Sequence, residues 1–129
     1  MVPENFLSKS AELIQVEVNK FKFFVLKHEN QIFIPTHEGL RLIGVDVSWI
    51  SAMGEKRKKV LKKRQFSFNE KLICYQTYQT DLNRINFFFA GSYSWSDWLI
   101  LWSYFASYRN TKAIQVLRYL AEQGLEHYI

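Results

Sequence analysis

Apolar and polar positions alternate differently along the chain and divide it into four segments. Residues 13–35 carry β-branched and aromatic residues in partial alternation, with a turn at His28–Asn30, so they predict a β-hairpin region. Residues 65–93 contain the strand-like runs FSF, KLICYQTY and INFFFAG, with a turn at 80–83 between the last two, and predict a β-rich middle with a second hairpin. Residues 94–129 place apolar side chains at helical spacing in two blocks, with Ser94 and Asn110 as the expected caps, which predicts a helical hairpin.

The remaining segment, residues 36–64, has the pattern of two short helices joined by a tight turn. Thr36 suits a helix start, and Gly44 suits the left-handed C-cap that ends a first helix. Ser48 is expected to cap a second helix, which either ends at Gly54 or continues into the basic stretch after it. Two helices at this spacing predict a helix-turn-helix, whose second helix reads the major groove, or else an ordinary helical corner.

Together the four segments predict a single α+β domain over residues 1–129, with a small antiparallel sheet, a helix-turn-helix and a C-terminal helical hairpin. Hydrophobic residues make up 48% of the chain and aromatic residues 17%, which is enough for a core built around large rings. Trp95, Trp98 and Trp102 share one face of the first predicted hairpin helix, and we expect that face to be core rather than a binding surface.

Positive charge is concentrated in one stretch of the sequence. The net charge is +5, and seven of the 17 lysines and arginines lie between residues 56 and 64. A local excess of this kind favours binding to the phosphates of a polyanion, although a solvated cationic helix face is the common alternative. We therefore predict a nucleic-acid-binding protein, with duplex DNA favoured. The predicted contact residues are Ser48, Trp49, Ser51, Lys56, Arg57, Lys58, Lys59, Lys62, Lys63 and Arg64.

The sequence lacks the motifs of known catalytic, metal and cofactor sites. Cys74 is the single cysteine, and the histidines at 28, 37 and 127 have no zinc spacing. No nucleophile elbow, phosphate-binding loop or dinucleotide motif occurs, so we expect no cofactor, no metal and no catalytic residue. The start of the chain lacks a signal-peptide pattern, and the most apolar window, Trp95–Phe105, is too short to span a bilayer. These features predict a cytoplasmic protein without a membrane partner.

Two alternative functions are also compatible with the sequence. A small metal-dependent nuclease would need acids such as Glu38, Asp46, Asp81 and Asp97 to converge near the basic stretch. A protein-interaction or inhibitor module would use the basic stretch against an acidic partner protein. For the nucleic-acid-binding function we further predict a homodimer through the aromatic C-terminal hairpin, because one recognition unit reads few bases.

Two stretches resemble known proteins. QIFIP followed by THEGLRLIGVDVSWIS is similar to the N-terminal DNA-binding domain of phage antirepressors and Bro-type proteins, in which a small sheet leads into a helix with a glycine-terminated turn. The tail from Ser94 resembles the C-terminal part of uncharacterised proteins of cyanobacteria and their mobile elements, which brings no known activity. The first resemblance implies DNA binding in a regulatory or mobile-element setting. Its matching residues are Ile34, Leu40, Ile43, Gly44, Val45, Trp49 and Ile50.

Overall fold

The computed structural model describes residues 10–18 and 20–123, which form an antiparallel sheet of five strands together with four helices. This arrangement confirms the predicted α+β class. None of the helices in this described part is long and apolar enough to cross a bilayer. In chain order the elements are β1 (Glu12–Val18), β2 (Phe21–His28), β3 (Gln31–Pro35), α1 (Thr36–Leu42), α2 (Glu55–Lys63), β4 (Lys71–Gln79), β5 (Arg84–Ser94), α3 (Trp95–Ser107) and α4 (Thr111–Gln123).

The sheet has the strand order β1-β2-β3-β5-β4, and every neighbouring pair is antiparallel. Strands β2 and β3 form the predicted hairpin, in which Leu26 pairs with Phe33 and the chain turns at Glu29–Asn30. Both turn residues have positive φ, 51° and 63°, as the tight hairpin turn that matches strand twist requires. Strand β1 pairs with β2 over its full length, so the predicted hairpin region 13–35 holds three strands.

The two ends of the sheet meet because the sheet curls. The backbone N–H of Ala11 donates to the carbonyl of Cys74 at 2.7 Å, and Ala11 forms a parallel bridge with Tyr75. Apolar side chains pack on both faces of the sheet. The helices cover the outer face, and a small core fills the inside of the curl. The buried residues of the small core are Ala11, Leu26, Phe33 and Ile73.

Helix α3 packs against the outer face of the sheet through two tryptophans. Trp98 and Trp102 are fully buried, which confirms their predicted core role, while Trp95 is half-buried. The indole N–H of Trp98 donates to the carbonyl of Ile34 at 2.9 Å, and that of Trp102 donates to the carbonyl of Gly39 at 3.2 Å. These bonds satisfy both buried indoles and fix α3 against β3 and α1.

Helices α3 and α4 form the predicted helical hairpin, and a side chain caps each of them. The Ser94 hydroxyl accepts from the N–H of Asp97 at 3.3 Å at the start of α3. The Asn110 carboxamide accepts from a first-turn N–H of α4 at 3.0 Å and donates to the carbonyl of Ile43 at 3.1 Å. Asn110 therefore ties the hairpin to the end of α1. The predicted end of the hairpin, residues 124–129, lies outside the described residues.

Strands β4 and β5 form the second predicted hairpin, and the chain reverses over the predicted turn 80–83. The FSF run before β4, predicted as strand, is irregular. Gln65 and Phe68 have positive φ, 70° and 56°, which a strand does not allow. The irregular segment, residues 65–70, follows directly on the end of α2.

The second helix of the predicted helix-turn-helix is not formed. Helix α1 does end as predicted, with Gly44 in the left-handed region at φ 71°. Residues 47–52 then form successive turns. Within these turns the carboxylate of Asp46 accepts from both the N–H and the hydroxyl of Ser48, and the N–H of Ala52 donates to the carbonyl of Ser48 at 2.9 Å. The chain becomes helical again only after Gly54, so α2 is a separate helix.

Candidate nucleic-acid interface

The basic stretch forms helix α2, whose N-cap residue is Gly54. Leu61 is fully buried and anchors the helix in the main core. Every lysine and arginine between residues 56 and 64 is exposed to solvent. The helix therefore presents its cations on the surface and is attached to the body by a narrow apolar contact.

The two arginines of this stretch lie on the side of α2 that faces the body of the protein. The guanidinium carbon of Arg57 is 5.5 Å from the ring centre of Trp49, and that of Arg64 is 5.4 Å from the ring centre of Tyr104. Both distances are within the range of cation–π attraction. Arg57 and Arg64 therefore flank Leu61 and hold the helix against α3 and the turns that precede α2.

The five lysines of α2 lie on the opposite side. At about 100° per residue, they cover an arc of roughly 160° whose centre is opposite the arginines. Glu55 lies within the same arc, and its carboxylate is 3.5 Å from the ammonium of Lys58. An exposed ion pair of this kind is weak and screened by salt, so the arc stays strongly positive. This surface is termed the lysine face, and it consists of Lys56, Lys58, Lys59, Lys62 and Lys63.

A groove of about 580 Å³ separates α2 from the irregular segment that follows it. Lys58, Lys59 and Lys62 line one wall, and Phe66 and Phe68 line the other. The two rings meet edge to face, with their centres 4.7 Å apart. The groove thus combines positive charge with aromatic surface.

Ser67 and Asp97 hold the aromatic wall of this groove in place. The carboxylate of Asp97 is buried and accepts from the N–H of Ser67 at 3.0 Å and from its hydroxyl at 2.5 Å. Asp97 lies in the first turn of α3, where the positive end of the helix dipole favours a carboxylate. The wall is therefore fastened to the helix that carries the core tryptophans.

The hydroxyls of Ser48 and Ser51, which were predicted to contact bases, bond within the turns. The side chain and the N–H of Ser48 donate to Asp46, and these bonds lower the pKa of the Asp46 carboxyl below its usual value. The Ser51 hydroxyl donates to the carbonyl of Ser48 at 3.0 Å. Trp49 packs against a ring of α3 and lies under Arg57, so it adjoins the basic helix. Ser48, Trp49 and Ser51 are the predicted contact residues outside the basic stretch. Of these, Trp49 contacts the basic stretch, through Arg57.

The acids that the nuclease alternative requires lie in separate places. Glu38 is buried and its carboxylate is 2.7 Å from the guanidinium of Arg41. Asp46 lies in the turns before α2, Asp97 lies under the groove wall, and Asp81 is exposed in the β4–β5 turn. In residues 10–18 and 20–123, histidine, cysteine and acidic side chains form no group of three or more that could hold a metal ion. The predicted convergence is not found there.

The aromatic wall of the groove was not predicted from the sequence. The FSF run has strand-like composition, and the helix before it ends without a glycine or proline. Ser67 and Asp97 are 30 residues apart, and no local spacing connects them. A pairing of this kind depends on where α3 lies in the folded chain, so local pattern carries no signal for it.

The fold and this surface define an α+β protein with a basic helix mounted beside a helical hairpin. No protein-family model, curated protein or solved structure matches the chain. The resemblance to phage antirepressor and Bro-type domains stays a prediction.

Proposed function

We propose that this protein binds nucleic acid, with duplex DNA favoured, through the lysine face of α2. The observation that carries the proposal is the separation of cations on this helix. The two arginines pack on aromatic rings, and the five lysines face solvent together. Lysine ammonium groups are flexible point charges that suit phosphate oxygens. The lysine face supplies them along one side of a helix that is ~14 Å long.

Contacts of this kind position a protein on the phosphate backbone and carry no sequence information directly. The serine hydroxyls in the turns before α2 already donate to Asp46 and to the carbonyl of Ser48. Fewer side-chain donors are therefore left for base edges. We propose that the protein binds duplexes of different sequence with similar Kd.

Charge-matched variants test the proposal by fluorescence anisotropy with a labelled duplex of ~20 base pairs, about two helical turns. K56Q/K59Q/K63Q removes three charges from the lysine face. The control K20Q/K22Q/K27Q removes three exposed charges from the β1–β2 side. We expect the first variant to lose roughly tenfold or more in affinity, and its salt slope to fall by up to about 2.7, since each phosphate contact contributes about 0.9.

The control variant should bind nearly as tightly as the wild-type chain. Equal losses in both variants would contradict a site on α2 and would indicate a response to net charge alone. Failure of the wild-type chain to bind duplex at low salt would contradict the proposed function and would favour the alternative of an acidic protein partner.

A homodimer through the C-terminal hairpin, in a regulatory or mobile-element role, is also part of the proposal. Trp98 and Trp102 are fully buried in the core. A contact between two protomers at the hairpin would therefore use exposed apolar side chains such as Tyr108 and Ile114. Sedimentation velocity tests this contact. A wild-type dimer that becomes a monomer in I114E would support it, and a wild-type monomer would contradict it.

A further inference from the structure

The groove beside α2 differs in chemistry from the rest of the lysine face. Its helical wall carries Lys58, Lys59 and Lys62, which follow one another along one side of α2. Glu55 is the acid in the same lining, and it is already paired with Lys58. The lining is therefore suited to an anion. Its volume of about 580 Å³ is in the range of small-ligand sites, so one nucleotide fits within it.

The opposite wall offers aromatic surface from a fixed position. Phe68 is half-buried, and its backbone has a φ of 56°, which is unusual for a bulky side chain. Phe66 lies beneath it in the core and meets it edge to face. Ser67 lies between the two phenylalanines in the chain, and its two hydrogen bonds to the buried Asp97 hold it in place. The ring of Phe68 is thus placed at the groove before any ligand arrives, which lowers the entropy lost on binding.

Proteins hold unpaired nucleotides with positive side chains that follow the phosphate backbone and with aromatic rings on which the bases stack. A duplex end or a single-stranded extension that runs along the lysine face would pass this groove. We infer that the groove binds one unpaired nucleotide of a DNA strand, with the phosphate on Lys59 and Lys62 and the base against Phe68. The inference rests on the proposed function and adds a preference for single-stranded extensions.

Two labelled duplexes with extensions of equal length test the inference by anisotropy. One extension carries thymine bases, and the other carries abasic sugars, so the two probes have the same number of phosphates. We expect the wild-type chain to bind the thymine extension about fivefold or more tightly than the abasic one, which is the lower range for stacking of one base on an aromatic ring. F68A should bind the two probes equally.

L72A is the matched control, because Leu72 is an exposed apolar side chain that does not line the groove. It should keep the preference for thymine. A second variant, K59Q/K62Q, leaves the aromatic wall intact. It should lose more affinity for the thymine extension than the charge-matched K56Q/K63Q, whose lysines belong to the lysine face but do not line the groove, and this comparison stands even where F68A does not fold.

Equal binding of the two extensions by the wild-type chain would overturn the inference and leave the proposed function intact, provided that both probes bind. A preference for thymine that persists in a folded F68A would overturn it as well. If neither probe binds at low salt, the proposed function itself fails. The two failures are therefore distinguishable in one experiment.

Discussion

Gly39 is the residue at which the packing leaves least room for a side chain. A Cβ atom built there would lie 2.4 Å from the ring of Trp98, which is fully buried and bonded to Ile34. G39A should therefore lower the free energy of unfolding by about 1–3 kcal/mol, even though alanine in a helix is normally favoured over glycine by ~1 kcal/mol. Urea unfolding measures the change.

Gly54 provides the comparison for this substitution, since a Cβ atom there would meet nothing within 4 Å. G54A should change the free energy of unfolding by less than about 1 kcal/mol. Equal effects of G39A and G54A would contradict the close contact between α1 and Trp98.

Tyr93 makes the stability of the protein sensitive to alkaline pH. Burial, followed by the charges of Glu70 and Asp97, raises the pKa of its phenol from 10 to about 12. Between these values the unfolded chain has lost a proton that the folded chain retains, so rising pH favours unfolding. The contribution of protonated Tyr93 to the free energy of unfolding is complete below pH 10 and is lost as the pH approaches 12.

Y93F tests this dependence because it removes the ionising hydroxyl. Its free energy of unfolding should fall less between pH 10 and 12 than that of the wild-type chain, with the two followed by urea unfolding at each pH. Parallel pH profiles would show that Tyr93 does not ionise differently in the folded and unfolded states.

Residues whose roles depend on their neighbours in sequence could be predicted, and residues whose roles depend on distant partners could not. Gly44 ends α1, and Ser94 and Asn110 cap helices, because these roles are set within a few residues. Gly39 and Asp97 act through Trp98 and Ser67, which lie far from them in the chain. No local pattern connects such pairs.

Two arginines hold helix α2 to the body of the protein and also add to its positive charge. Anchoring and charge can be tested separately. R57K/R64K keeps both charges but removes the planar groups that lie over Trp49 and Tyr104. The free energy of unfolding should fall by about 0.5 kcal/mol per contact, because lysine loses the planar stacking but keeps part of the attraction to the ring, while affinity for duplex DNA should change little.

R84K is a suitable control because Arg84 is exposed on β5. It should leave the free energy of unfolding within about 0.5 kcal/mol of the wild-type value. Unchanged stability of R57K/R64K would contradict the assignment of the arginines to anchoring. A large loss of DNA affinity would show that they bind phosphate directly.

The helix-turn-helix prediction was wrong at the level of the element, and the surface that we propose binds DNA was predicted separately, from the charge of the basic stretch. A second helix that ended at Gly54 would have been short, and nucleation of a short helix is costly. The alternative, a helix that continued into the basic stretch, is interrupted at Gly54, whose backbone is extended. Asp46 accepts from Ser48 as a helix cap does, but Trp49 packs on rings of α3 and the turns do not extend into a regular helix. The basic stretch is helical nonetheless, because Leu61 anchors it.

At the scale of the molecule, the sequence predicted the class of fold, its two β-hairpins and its helical hairpin, but not how the sheet closes. Strand alternation and helical spacing show which residues share a face, so they locate the hairpins and the tryptophan core. The contact between Ala11 and Tyr75 that brings β1 to β4 joins distant segments. The groove depends on the same kind of long-range placement, so its lysines were predicted and Phe68 was not.

The measurement that tests the central claim most directly is the affinity of the wild-type chain for a labelled duplex across a salt series. If all five residues of the lysine face contact phosphates, log affinity should fall with log salt with a slope of about −4 to −5. A slope near zero, or no binding at the lowest salt, would contradict the claim that the lysine face binds nucleic acid.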